Sequence, residues 1–310
     1  MNANHVAIEP TLKQRLRIQA CLACLIPLLS ITLFASQPPP PPAGWTEHYV
    51  MANDIRIHYW RTGGNKPVMI MLHGSSDNGL CMTLFAKEFT ADYDIILPDA
   101  RGHGLSDPPA KGESADAQAE DIAGLIKALN LEKPIVMGHS MGSSSAAWFA
   151  AKYPDVPKAI ILEDPRLVSR PQSKANASDV TKAQNKRAAG ILAKNNMTYG
   201  KILNDQLKRN SKWEREEIAI WATSKIQHHP LTSYGNRSNR PAMSELFSRI
   251  TAPTLILKAD DKGENRRKNI EVTRILKHGK IVHIDGAGHN VRRENKSLTV
   301  RTLKDFLSTL

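Results

Sequence analysis

The sequence predicts an α/β fold in which a mostly parallel sheet is covered by helices on both faces. Two observations lead to this prediction. Short apolar runs recur along the chain, and segments with apolar residues three or four positions apart separate them. Near-continuous apolar strands are typical of parallel sheets buried on both sides. The runs are PVMIMLHG, YDIILPD, PIVMGHS, KAIILED, APTLILKAD and KIVHID.

The elements follow in order along the chain. TEHYVM and IRIHYW flank Asn53 and Asp54, which predicts a β-hairpin before the first buried strand. The spacing of Ile122, Leu125, Ile126 and Leu129 predicts a helix over residues 114–130. Further helices are expected up to Phe89, over 141–153, up to Lys277 and up to Leu310.

This rhythm stops for about 85 residues after Pro165. Residues 166–250 are polar and helix-forming, so we expect a helical lid inserted into a core made of residues 44–165 and 251–310. The segment holds 16 Lys and Arg against 6 Asp and Glu, which accounts for most of the chain's net charge of +12. Its charge would attract an anionic substrate or an acidic membrane surface, or serve only as a solvated face. The basic residues lack interleaved aromatics, so no nucleic-acid partner is expected.

Residues 1–43 are predicted to be a targeting element with a proline-rich linker. Lys13, Arg15 and Arg17 precede nineteen uncharged residues, 18–36, a run that is borderline for crossing a bilayer. We expect a signal peptide or a membrane anchor, with the catalytic domain on the non-cytoplasmic side and membrane association through residues 18–36. The alternative is a locally buried apolar helix. Five prolines from Pro38 favour an extended spacer.

Composition and motifs exclude several kinds of site. The three cysteines, Cys21, Cys24 and Cys81, are too few for a disulfide framework. Cys21 and Cys24 form a C-x-x-C without a second ligand pair. The sequence has no H-E-x-x-H, no P-loop and no complete dinucleotide fingerprint, so neither a metal nor a cofactor is expected.

The strongest motif is Gly138-His139-Ser140-Met141-Gly142, a G-x-S-x-G between a predicted strand and a predicted helix. A sharp turn at this point leaves no space for side chains two positions before or after its centre, which explains the two glycines. The Ser140 hydroxyl then projects from the carboxyl edge of the sheet, and we predict that it is a nucleophile. An ordinary turn is the alternative.

A serine nucleophile needs a base, and the base needs an orienting group. His289 lies in a glycine-rich loop after the last predicted strand and is the candidate base. We predict Asp260 as the acid because it is the first carboxylate after the run TLILK. Asp261 is the second choice, and Glu163 and Asp164, at the end of the fourth buried strand, are further alternatives.

The oxyanion that forms during acyl transfer needs hydrogen-bond donors. In turns of this type they are the backbone N–H after the nucleophile and one from the loop after an earlier strand. Here those residues are Met141 and Ser75.

The order Ser140, Asp260, His289, with LHGSS and DARGHGLSD upstream of the acid, resembles the α/β-hydrolase fold superfamily over residues 45–310. The resemblance implies an eight-stranded sheet whose first hairpin is antiparallel and a cap after the sixth strand. The chain departs from the family pattern at Lys258 and Ala259, where many relatives have a glycine, so the position of the acid is open.

The resemblance and the serine together predict a serine hydrolase that cleaves a small carboxylic ester or related acyl compound, for which both anionic and neutral substrates stay open. Relatives that open epoxides use a carboxylate nucleophile, which disfavours that reaction here. Lactone hydrolysis, carbon–carbon bond hydrolysis and acyl transfer to another acceptor use the same triad and stay open. A weakly catalytic receptor or binding protein is the alternative outside enzymes.

Overall fold

An eight-stranded sheet lies at the centre of the molecule. The computed structural model describes residues 37–110, 113–168, 176–210, 212–235 and 240–310. The strands are β1 (Thr46–Ala52), β2 (Ile55–Arg61), β3 (Val68–Leu72), β4 (Asp94–Pro98), β5 (Ile135–His139), β6 (Ala159–Glu163), β7 (Thr254–Lys258) and β8 (Gly279–His283). They are arranged as β1-β2-β4-β3-β5-β6-β7-β8.

The sheet is antiparallel at one edge and parallel elsewhere. β2 pairs in antiparallel fashion with both β1 and β4, and every other neighbouring pair is parallel. Asn53 and Asp54 join β1 to β2 with φ angles of 47° and 61°. Two left-handed residues are what a tight hairpin with the natural strand twist requires. The predicted mostly parallel sheet with an antiparallel first hairpin is therefore confirmed.

The helices cover both faces of the sheet. Along β5, Val136 packs into the core on one face, whereas Ile135 and Met137 pack on the other. The helices are α1 (Thr83–Ala86), α2 (Ala117–Ala128), α3 (Met141–Lys152), α4 (Ala177–Asn195), α5 (Tyr199–Arg209), α6 (Arg215–Ile226), α7 (Met243–Phe247), α8 (Gly263–Thr273), α9 (Val291–Glu294) and α10 (Lys296–Leu307).

The chain between β6 and β7 carries α4 to α7, and we call it the β6–β7 connection. Its helices α5 and α6 share a small apolar core of their own, in which Ile202, Leu203, Ile218 and Ala222 are buried. The residue limits predicted for the lid and the core remain predictions.

Residues 1–36 of the predicted targeting element lie outside the described residues, whereas the proline tract from Pro38 lies within them. The run 18–36, which includes Cys21 and Cys24, is in the part of the chain that the structure does not describe. Within the ranges that the structure describes, no helix combines the length and the apolar character needed to cross a bilayer.

Candidate active site

Ser140 occupies a strained turn between β5 and α3. Its φ is +52° and its ψ is −104°, a backbone conformation that side-chain-bearing residues rarely adopt. A Cβ atom on Gly138 would lie 2.2 Å from the carbonyl oxygen of Gly142. A Cβ atom on Gly142 would lie 2.6 Å from the carbonyl oxygen of Leu72. Both neighbours are backbone atoms that cannot move aside, so the turn requires both glycines.

The loop after β8 brings His289 to the serine. Its Nε2 lies 2.9 Å from the Ser140 Oγ, and its Nδ1 lies 2.5 Å from the Oδ2 of Asp164. An ionised carboxylate only accepts hydrogen bonds, so Nδ1 carries the proton and Nε2 is free to accept the serine proton. The geometry is that of a nucleophile, a base and an orienting acid.

Asp164, not Asp260, is the carboxylate that contacts His289, and the prediction of Asp260 is corrected on this point. Asp164 follows β6 directly and has a φ of +43°. Its backbone N–H donates to the carbonyl of Leu257 on β7, at 2.8 Å. This left-handed turn directs the carboxylate along the sheet edge to His289.

The two carboxylates after β7 have other partners. Asp260 accepts hydrogen bonds from the Lys262 Nζ at 2.6 Å and from the Gly286 N–H at 3.1 Å. Asp261, the second choice, accepts from the Asn269 side chain at 2.8 Å. Neither contacts His289. They stabilise turns beside the site.

Lys258 is the last residue of β7, two positions before the predicted acid Asp260. Its ammonium is buried and forms an ion pair with the Oδ1 of Asp164. Burial raises the pKa of the Asp164 carboxyl, but the hydrogen bond from His289 and the charge of Lys258 outweigh burial and lower it. Asp164 is therefore ionised at neutral pH and orients the imidazole.

The predicted oxyanion donors lie around the same space. Met141 is the first residue of α3, so its N–H has no acceptor within the helix, and that helix end favours negative charge. Ser75 lies in the loop after β3. Both residues line the cavity that holds Ser140 and His289. Their roles as oxyanion donors remain predictions.

The cavity has a volume of about 1140 Å³ and lies between the sheet edge and the β6–β7 connection. Trp148 and Trp221 form apolar parts of its wall, and the basic side chains along it outnumber the acidic ones, which are Glu113, Asp116 and Asp164. Those basic residues are Arg101, Arg166, Arg187, Lys194, Lys225, Arg240 and Lys258.

Sequence reasoning did not identify the basic residues of the site, and it ranked Asp164 below Asp260. Lys225 was not singled out, and Lys258 was noted only as a departure from the family pattern. One signal for Asp164 is present: the sequence Glu163-Asp164-Pro165 ends a buried strand next to the serine strand. Within the described ranges, no group of three or more His, Cys, Asp or Glu residues is placed to hold a metal ion.

Several known proteins are similar to this chain. It is 27% identical over 288 residues to epoxide hydrolase 1 of Caenorhabditis elegans, a match that covers 86% of this chain and 71% of the relative. It is 25% identical to 2-(acetamidomethylene)succinate hydrolase of Mesorhizobium japonicum, covering 80% of this chain and 90% of that protein. It is 26% identical to N-formylmaleamate deformylase of Pseudomonas putida, covering 83% and 95%.

Solved structures share the fold. The crystal structure of an E-2-(acetamidomethylene)succinate hydrolase superposes with a TM-score of 0.67 at 22% identity and covers 85% of this chain and 99% of that one. The family model described as alpha/beta hydrolase fold matches residues 67–294, which is more than half of the chain. The chain belongs to the α/β hydrolase fold family, and its activity class is that of a hydrolase.

Proposed function

We propose that the protein hydrolyses a carboxylic ester or a closely related acyl compound through an acyl-enzyme on Ser140. The observation that carries this proposal is the pair of contacts made by one imidazole, with the Ser140 Oγ at 2.9 Å and with Asp164 at 2.5 Å. Both distances are those of hydrogen bonds that can transfer or orient a proton.

The proposed reaction has two steps. In the first, Ser140 attacks the carbonyl carbon, His289 takes the hydroxyl proton, and the proton passes to the departing alcohol as the acyl-enzyme forms. In the second, His289 takes a proton from water, the resulting hydroxide attacks the acyl-enzyme, and the carboxylic acid leaves as Ser140 is reprotonated. The N–H groups of Met141 and Ser75 would hold the negative oxygen in both steps.

The serine itself argues against epoxide opening, in spite of the similarity to epoxide hydrolase 1. Epoxide-opening members of the family use a carboxylate at this turn, and residue 140 is a serine. Acyl chemistry also agrees with the names of the two other relatives, 2-(acetamidomethylene)succinate hydrolase and N-formylmaleamate deformylase.

Replacing the serine tests the proposal. Ser140→Ala should lower kcat for a short aryl ester by at least about 10³-fold, because no hydroxyl remains to be acylated. Ser144→Ala is the matched control: it removes a hydroxyl on the next turn of α3 that also lines the cavity. Initial rates of both variants and the wild type decide the matter, and full turnover by Ser140→Ala would exclude this mechanism.

We further propose that the substrate carries a carboxylate. Arg187 and Lys194 lie seven residues apart on α4, hence on one face of the helix, and both line the cavity. Lys225 is paired with Asp77, whereas neither Arg187 nor Lys194 forms a salt bridge with any described residue. Two relatives are named for reactions of anionic compounds, a succinate and a maleamate, and these names also support an anionic substrate.

The charge preference is measured by comparing aryl hemisuccinate with its neutral methyl ester. Replacing both Arg187 and Lys194 by Met in one variant should raise KM for the hemisuccinate and leave KM for the neutral ester unchanged. Added salt should act in the same direction on the wild type, because it screens the exposed charges. Equal KM changes for both esters would remove this role.

A further inference from the structure

Six charged side chains are buried beside the candidate active site, and together they are neutral. Each is less than 10% exposed. Charges that are shut away from water in this way persist only when they are paired and hydrogen-bonded. We call them the buried ionic cluster. The anions are Asp77, Glu163 and Glu217, and the cations are Lys225, Arg292 and Arg293.

Lys225 is the member of this cluster that comes from the end of α6 in the β6–β7 connection. Its Nζ donates to the backbone carbonyl of Ser76 at 2.5 Å, to the Ser76 Oγ at 3.0 Å and to the Oδ1 of Asp77 at 2.8 Å. An ammonium has three hydrogens, and these three acceptors use all of them. Lys225 therefore has no proton left for a substrate, although it lines the cavity.

The partners of Lys225 belong to the loop that carries Ser75. Ser76 has a φ of +63°, a left-handed conformation that costs free energy for a serine and persists only where neighbours hold it. The Ser224 hydroxyl lies 3.2 Å from the Ser76 carbonyl, but its one hydrogen has its shorter contact with the Trp221 carbonyl, at 2.7 Å. Lys225 is therefore the main contact by which α6 holds the strained peptide next to the proposed oxyanion donor.

The rest of the buried ionic cluster reaches the loops that carry His289 and Asp164. The Oδ2 of Asp77 accepts from Arg293 at 3.0 Å, and Glu163 accepts from the Arg292 guanidinium at 3.0 Å. Arg292 and Arg293 follow His289 by three and four residues, and Glu163 directly precedes Asp164. The backbone carbonyl of Glu163 also accepts the N–H of Ser140, at 2.9 Å.

We propose that Lys225 is a positioning residue that holds the Ser75–Asp77 loop in the conformation needed to stabilise the oxyanion. The oxyanion site is then complete only while α6 is docked on the sheet edge. The inference rests on the proposed function, because it concerns the transition state of acyl transfer. It differs from a general stabilising role, because it assigns the effect of Lys225 to the tetrahedral state and not to the bound substrate.

The test compares Lys225→Met with Lys201→Met, the same change at an exposed lysine of α5 that forms a surface ion pair with Asp205. For a neutral aryl ester, Lys225→Met should lower kcat about 10- to 100-fold. This loss is no larger than the loss in kcat that follows removal of an oxyanion donor. KM should stay nearly constant. Affinity for an aryl boronic acid, which forms a tetrahedral adduct on Ser140, should fall by a similar factor. Lys201→Met should match the wild type in all three measurements.

Lys225→Arg is the second variant, used to keep the buried charge balance and therefore the fold. A guanidinium cannot place three donors at one point, so kcat and boronic acid affinity should again fall while the melting temperature changes little. If Lys225→Arg, or a folded Lys225→Met, keeps the wild-type kcat and the wild-type affinity for the boronic acid, the inference is overturned. The proposed function would still stand in that case. A wild-type protein that turns over no ester and binds no boronic acid overturns both.

Discussion

The carboxylate of Asp164 accepts hydrogen bonds from three groups. These are the His289 imidazole, the Lys258 ammonium and the backbone N–H of Ala259. A carboxylate with this number of donors is fixed in orientation as well as in charge. It can therefore hold one tautomer of the imidazole throughout the reaction, which an exposed carboxylate would do less well.

A pair of matched substitutions separates the two aspartates. Asp164→Asn should lower kcat by about 10³- to 10⁴-fold, because an amide no longer fixes the tautomer in which Nε2 accepts the serine proton. Asp260→Asn should leave kcat nearly unchanged, since its carboxylate contacts Lys262 and Gly286 instead of His289. Steady-state rates on one aryl ester measure both. The reverse order of effects would return the acid to the position after β7.

The strand–turn–helix element from β5 to α3 is where sequence reasoning was most informative. The need for glycine at position 138 is a steric requirement within five residues, because its Cβ atom would meet the Gly142 carbonyl, and such a requirement can be read from a sequence. The need for glycine at position 142 comes from the close approach of Leu72 at the end of β3, so here the local motif reflects a long-range contact. The choice of acid depends on a different kind of information. The turns after β6 and β7 end at the same sheet edge, and only the side-chain directions of Asp164 and Asp260 distinguish them.

Gly142→Ala tests the steric account of this element. The new Cβ atom would meet the carbonyl oxygen of Leu72 at 2.6 Å, so the backbone of β3 or α3 must shift. We expect a loss in the free energy of unfolding of about 1–3 kcal/mol, the usual cost of overpacking. Gly190→Ala on helix α4 is the control, because its Cβ atom would have no atom of a described residue within 4 Å.

The control should change stability in the opposite direction. Alanine is favoured over glycine inside a helix by about 0.5–1 kcal/mol, so Gly190→Ala should be slightly more stable than the wild type. Urea unfolding of the three proteins gives both values. If Gly142→Ala were as stable as the wild type, the turn would have space for a Cβ atom at position 142, which contradicts the structure.

On the scale of the whole molecule, long-range polar contacts escaped prediction. The buried ionic cluster joins residues that are up to 216 positions apart, as in the contact between Asp77 and Arg293. No local pattern marks such residues, because each looks like an ordinary surface charge in its own segment. The sheet could be predicted because a run of apolar residues indicates a buried strand. A charged residue, in contrast, does not indicate from the sequence whether it has a buried partner.

Two histidines, His139 and His228, make the free energy of unfolding depend on pH. Burial lowers the pKa of His139 from 6.5 to about 4, and burial together with nearby Lys225 lowers that of His228 to about 4. As the pH falls below about 6.5, the unfolded chain takes up protons on these residues and the folded protein does not. The free energy of unfolding should therefore be greatest above pH 6.5 and should fall as the pH drops towards 4.

Urea midpoints at pH 7.5 and pH 5 measure this effect, and the midpoint should be lower at pH 5. His228→Asn should reduce the difference, because one proton-binding group is removed from the unfolded chain. His278→Asn, the same substitution at an exposed histidine, is the control. Equal midpoints for the wild type at both pH values would contradict the assignment of His139 and His228 as neutral in the folded protein.

The account as a whole depends on a covalent bond between the substrate's acyl group and Ser140. The most direct measurement is the mass of the peptide that contains Ser140, taken after acid quenching during turnover of an aryl acetate. We predict a fraction of this peptide that is heavier by one acetyl group, and a larger fraction in Asp164→Asn if that change slows deacylation more than acylation. Continued turnover with the acetyl group absent from Ser140, or present only on another residue, would contradict the account.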